Sequence, residues 1–190
     1  MIRCALVCIV ALMFLSDGVK ANEHPLLVGV RLAETRFNGW RYGHREYRRQ
    51  VNCVQFMVAV VEELLQRELT PEERSGILIN RVGRRWRLPR LVQNDDPRIR
   101  GIQTALVQMG KGVIVKPSDA KPGDFIQYWK KRNGRWIGHA SIIADVIRRE
   151  TTTCALVFGS HQSLGGIGIG EFEVGLNDPE VKVYVVRFKS

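Results

Sequence analysis

The stretch Cys53-Val54-Gln55-Phe56-Met57-Val58-Ala59-Val60-Val61-Glu62-Glu63-Leu64-Leu65-Gln66-Arg67-Glu68-Leu69 has the length of a helix and too few polar side chains on most faces for a surface one. It predicts a buried helix that ends near Thr70 and carries Cys53 in its first turn. Downstream, Thr70-Pro71-Glu72-Glu73 supplies an N-cap, a first-turn proline and a capping-box glutamate, so a second helix starts at once. Asp96-Pro97 repeats the start signal, and Gly110, after Met109, closes a third helix. Upstream, residues 22–51 are broken by Asn38-Gly39 and Tyr42-Gly43 and read as an irregular lead-in.

After Lys111 the apolar period changes to two. Lys121-Pro122-Gly123-Asp124 reads as a turn, with strands over 125–130, 138–147, 153–160 and 181–188 and a further one near 169–174. Asn133-Gly134 marks a hairpin tip. Helices first and strands after predict an α+β domain, with the buried helix packed on a largely antiparallel sheet.

With 190 residues, 45% of them hydrophobic, the chain is long enough for a core that needs no set of disulfides. Its mean hydropathy of -0.12, with no apolar run of about 18 residues, argues against an integral membrane protein. Residues 1–21 read as a signal peptide: Arg3, then the apolar run from Cys4 to Leu15, then Val19-Lys20-Ala21 before a cleavage point. The expected exported protein is therefore 22–190, with 27 basic and 18 acidic residues. A protein this basic calls for an anionic partner, whether cell-wall polymer, nucleic acid or anionic lipid. Arg84-Arg85-Trp86-Arg87 with Arg90, and Arg45 with Arg48 and Arg49, are the densest basic patches. No regular aromatic ladder interleaves them, which speaks against a platform for stacking single-stranded bases.

Past the leader two cysteines remain, Cys53 and Cys154, and a disulfide between them is one reading. The other gives them separate roles. Cys154 lies in an apolar strand, as a buried thiol does, whereas Cys53 opens a helix, where N–H groups and the macrodipole favour a thiolate. A nucleophile needs a base, and of His24, His44, His139 and His161 only the last two fall on predicted strands. Centring the turn between strands 138–147 and 153–160 on Glu150 makes facing residues sum to 300, so His139 faces His161; a slip of one brings Ser160 or Gln162 there instead. The expectation is a nucleophile, Cys53, a base, His139, and an orienting group, His161, hydrogen-bonded to that base. The backbone N–H of Cys53 is the natural oxyanion donor, and Gln50 is a second candidate. Gly165-Gly166-Ile167-Gly168-Ile169-Gly170 reads as a flexible loop flanking the site, because it opens no helix and lacks the lysine of a nucleotide loop. No metal-ligand spacing is present, so neither metal nor nucleotide nor other cofactor is expected.

At these residues the sequence resembles the papain-like cysteine peptidases of the NlpC and CHAP types, bacterial enzymes that cut peptidoglycan peptides. The resemblance rests on Tyr42-Gly43, Asn52-Cys53-Val54-Gln55-Phe56 opening a helix, Pro122-Gly123-Asp124-Phe125 leading a strand, and Gly138-His139-Ala140-Ser141-Ile142. It departs at Asn52 and Val54, where NlpC-type enzymes usually carry Asp and Ser. The resemblance implies a papain-like core interrupted by a helical insertion over 71–110, amidase or endopeptidase activity on peptidoglycan, and a role for Tyr42 in lining the substrate cleft. Two other readings fit parts of the sequence: a non-catalytic wall or polyanion binder on the same fold, and a small basic nuclease that uses two histidines while Cys53 stands idle.

Overall fold

A computed structural model describes residues 23–79, 87–170 and 173–189. The leader expected over 1–21, and the Arg84-Arg85-Trp86 core of one basic patch, lie outside them. Among the described residues no helix is long and apolar enough to cross a membrane.

The expected buried helix is α2, Cys53–Leu65, and it begins on a capping box. Asn52 Oδ1 accepts from the Gln55 N–H at 2.9 Å, while Gln55 Oε1 accepts from the Asn52 N–H at 3.0 Å. Phe56, Met57, Val60 and Val61 are fully buried. The helix stops short of Thr70 because Gln66 turns left-handed, at φ 51, and its N–H folds back onto the carbonyls of Glu62 and Glu63. A second helix, α3 (Pro71–Ile77), then starts on the Thr70–Glu73 capping box as expected.

The lead-in corrects the sequence reading. Residues 25–34 form a helix, α1 (Pro25–Glu34), opened by a first-turn proline and buried at Val28, Gly29 and Leu32. Gly29 lets the helix close on the sheet: a Cβ there would stand 3.1 Å from Ile142 Cδ1. Its three-to-four spacing of apolar residues was present in the sequence, and the turn signals near residue 40 masked it. The third expected helix is also divided. Pro97–Ile99 makes a single 3-10 turn, Gly101 adopts φ +49, and α5 runs Ile102–Gln108. A short α4 (Leu88–Gln93) precedes them.

The strands are β1 (Arg41–Tyr42), β2 (Gln50–Val51), β3 (Gly112–Val115), β4 (Phe125–Arg132), β5 (Arg135–Arg148), β6 (Thr153–His161), β7 (Gly166–Ile169), β8 (Val174–Gly175) and β9 (Val181–Phe188). β1 and β2 form a small parallel pair. The main sheet is antiparallel, ordered β3-β9-β4-β5-β6-β7, with β8 on β6. This is an α+β fold. One face, through Phe125, Ala140, Ile142, Phe158 and Val186, packs against α1, α2, α3 and α5. The other, through Ile126, Ile143, Val157 and Val185, packs against residues from 115–120 and 174–181. The expected flexible glycine loop is in part the edge strand β7, paired with β6 from Phe158↔Ile169 to His161↔Gly166. The helical segment 88–108 is pinned to the sheet by polar bonds: Trp129 Nε1 donates to the Ile99 carbonyl at 2.8 Å and Gln103 Nε2 to the Val185 carbonyl at 3.0 Å.

The Pro122-Gly123-Asp124 turn sets the start of β4. Gly123, at φ +91, brings its backbone against the His24 ring, and Asp124, 2% exposed, receives Arg187 on both carboxylate oxygens.

Candidate active site

Three elements converge at the N-terminus of α2. Asn52 holds the helix start, so Cys53 is its first residue, and the backbone N–H groups of Cys53 and Val54 face the sulfur. Across from them, the β5–β6 ladder ends at Ile142↔Phe158, and beyond it the backbone N–H of Ala140 donates to the same sulfur. The residue before Ala140 is His139. The nucleophile candidate is thereby held against the β5 backbone next to the base candidate.

The imidazoles of His139 and His161 do face each other. Their rings stack, with centroids 4.6 Å apart and planes 27° apart, and the Nε2 of each is sealed from solvent without a hydrogen-bond partner. The expected orienting hydrogen bond is replaced by ring contact. The facing count also holds for a reason the sequence did not give. At the turn, Arg148↔Thr153 and Ile147↔Cys154 sum to 301, and an irregularity between Ile143 and Asp145 absorbs one residue, after which Ile143↔Val157 and Ile142↔Phe158 sum to 300. Ser160, one step away, lies on the helix-side face and donates to the Val51 carbonyl at 2.7 Å.

Burial governs the electrostatics. Cys53 is 8% exposed, and desolvation pushes its thiol up, with the amides of Ala140, Val54 and Cys53 pulling the other way. This corrects the expectation of a depressed thiol: burial outweighs the helix start. His139 is pushed down to about 3, first by desolvation and then by His161. His161 is lowered by desolvation, against the pull of the Val157 and Gly168 carbonyls. The resting site thus holds a neutral thiol and neutral imidazoles.

Below the ordinary histidine value of 6.5 the unfolded chain takes up a proton at His139 that the folded protein refuses until about 3, so stability falls as pH falls through that window. Glu73 and Asp96, held at about 2 by Arg67 and Arg98, act lower, beneath their ordinary 4.5 and 3.8. Thermal melting is therefore expected to drop already between pH 6.5 and 4.5, and a His139→Phe, His161→Phe protein should melt at nearly constant temperature there. An unchanged slope in that variant would remove the histidines as its cause.

Of the other expected residues, Tyr42 stands at the site: burial and the nearby Cys53 raise its phenol. Gln50 lies against Gly43 and lines a cavity of about 120 Å3 with Trp40, Gln55, Val58 and Glu62 along the flank of α2. Gln162 is exposed in the turn after β6. Neither glutamine is gathered with the sulfur. Cys53 and Cys154 are both free, so the disulfide reading fails. Among the described residues no group of three metal-ligating side chains occurs.

Two neighbours were not placed at the site by the sequence reading, which missed Tyr128 and set His44 aside. Tyr128 pairs with His139 across β4 and β5, its ring 5.5 Å from the imidazole, and burial and Cys53 push its phenol far up. The Asn133-Gly134 tip held that signal, since facing residues there sum to 267. His44 meets the Asn52 side chain, Nδ1 to Nδ2, at 2.8 Å. Because Asn52 Oδ1 is taken by the Gln55 N–H, the amide nitrogen must donate, which leaves the His44 proton on Nε2. No sequence pattern announces that contact. No family model, no curated protein and no solved structure matches the chain.

Proposed function

We propose that this chain is an exported papain-like thiol hydrolase that cuts amide bonds in the peptides of peptidoglycan. The observation that carries the reading is the sulfur of Cys53, at the first position of a buried helix, hydrogen-bonded by the amide next to His139. Cys53 attacks the scissile carbonyl as its S–H proton passes to His139, and the C–N bond breaks as His139 returns that proton to the amine. Water then hydrolyses the thioester, giving a carboxylic acid and the free thiol. Because both groups rest neutral, the proton moves during attack rather than beforehand. The stacked His161 fixes the plane of the His139 ring. Amides at the start of α2 receive the developing oxyanion. No cofactor takes part.

The depth of Cys53 favours a second reading, a wall-binding protein that keeps the fold without turnover. Incubating peptidoglycan with the protein, with and without prior iodoacetamide, and weighing the soluble fragments separates the two. New fragments that vanish after alkylation support the hydrolase. Retained binding with no fragments supports the binder, and fragments that survive alkylation rule out the thiol mechanism.

A further inference from the structure

The chain's positive surplus is not spread over its surface. Among the described residues 24 lysines and arginines face 17 aspartates and glutamates. Two short segments, 41–49 and 130–135, hold 8 of those cations and a single carboxylate, Glu46, so the rest is balanced at 16 against 16. Elsewhere arginines are largely paired: Arg31, Arg67, Arg74, Arg98, Arg100 and Arg187 each meet a carboxylate. In the two segments they are not. Glu46 leans out to Arg36 at 3.9 Å, and Arg49 is spent on the Asn38 carbonyl.

Both segments lie at the end of the sheet where His139 and His161 sit. The first runs through Tyr42 and His44 and is held in place, with the Tyr42 N–H on the Gly165 carbonyl at 2.8 Å, the Arg41 N–H on the Arg49 carbonyl at 2.9 Å, and His44 on Asn52. From it Arg41, Arg45 and Arg48 stand exposed. The second is the tip of the β4–β5 hairpin. Side chains alternate along a strand, so Arg135 and Ile137 share the face of His139, and their cross-strand partners Arg132 and Lys130 share it too. Ile137 is 50% exposed, and Arg135 stands about 14 Å from His139 at ~3.4 Å per residue. Gathering like charges in this way raises the energy of the free protein through mutual repulsion, which an anionic ligand relieves.

We propose that loop 41–49 and the β4–β5 hairpin are two arms of a substrate track that binds carboxylates of an extended acidic peptide whose scissile bond lies at Cys53. This rests on the hydrolase reading and adds to it a substrate class: peptides with free carboxylates, one of them about four residues from the cut on the hairpin side. A peptide, rather than a nucleic acid, is favoured because the arms border an amide-cleaving thiol and their tyrosines are already engaged, Tyr42 edge-on to His44 and Tyr47 beneath the Arg48 guanidinium.

The test uses three proteins. The arm variants are Arg45→Glu with Arg48→Glu, and Lys130→Glu with Arg132→Glu and Arg135→Glu. The control is Lys111→Glu with Lys116→Glu and Lys121→Glu, exposed lysines outside the arms. With an acidic muropeptide as substrate, each arm variant should raise KM about tenfold at low salt and leave kcat near wild type. The difference should shrink above about 0.5 M salt, and the control should move little. Each is repeated in a Cys53→Ala background, reading peptide binding by fluorescence anisotropy, so that loss of the hydrolase reading and loss of the track are separate results. Absent turnover with arm-dependent peptide binding leaves the track standing and removes the reaction. Control and arm variants that weaken binding alike would reduce the track to net charge and overturn it. So would arm variants with an unchanged KM, or tighter arm-dependent binding of a single-stranded oligonucleotide than of the acidic peptide.

Discussion

A Cys53→Ala protein is expected to lose peptide hydrolysis altogether while melting close to wild type. Nothing else at the start of α2 can form the acyl intermediate, and alanine at a helix's first position disturbs neither the Asn52 cap nor the packing of Phe56 and Met57. His139→Ala should cost about 10²–10⁴-fold in kcat, the usual worth of general acid–base help. The stacked geometry revises the third rank. If His161 acted by hydrogen bonding, its replacement by phenylalanine would be as harmful as alanine; because it acts by ring contact at 4.6 Å, His161→Phe should keep most of the turnover and His161→Ala should lose more. Full hydrolysis by Cys53→Ala would end the proposed mechanism. Equal loss in the two His161 variants would restore a polar role for that ring.

The second large effect concerns stability. Asp124 is almost fully buried, and its carboxylate is bound by Arg187 Nε at 2.8 Å, Arg187 Nη2 at 2.9 Å and the Lys121 N–H at 2.9 Å. Its partner is unequal, since the Arg187 side chain is 42% exposed. Removing the exposed member strands the charge that water cannot reach, so Arg187→Met should cost about 3–5 kcal/mol in denaturant unfolding. Asp124→Asn returns Arg187 to solvent and keeps an acceptor for Lys121, so its cost should stay near 1–2 kcal/mol, roughly one lost charge-assisted hydrogen bond. The double variant should be more stable than Arg187→Met alone. If it is not, the stranded charge is not what Arg187 relieves.

What the sequence made legible were the parts written in local chemistry. Thr70-Pro71-Glu72-Glu73 capped a helix, strand 181–188 fell where its alternation placed it, and Cys53 opened the buried helix. The site's facing pair was legible as well, though by two errors that cancel: a turn centre misplaced by half a residue, and a bulge no pattern announces. What stayed hidden depended on distant partners. The divided helix 97–108 follows from Gly101 closing against Gln127, and the raised thiol of Cys53 from how deeply the sheet covers it. A helix start argues for a thiolate only while water reaches the sulfur, and burial is not written in spacing.

The edge strand β3 carries a consequence for how the protein behaves in a test tube. It is only four residues long, pairs on one side with β9, and exposes Val113 at 45% and Ile114 at 59%. Among the described residues no strand pairs with its outer rim, which leaves a template on which a second copy could add a strand. Lys111 and Lys116 stand at its two ends, so an antiparallel copy would bring like charges together, and Pro117 prevents the template from lengthening. The lysines work by repulsion, which salt screens, while Pro117 only limits the length of the template. Concentrated stocks stored at high ionic strength are where self-pairing and precipitation would begin, and dilute, low-salt handling keeps the molecule colloidally stable.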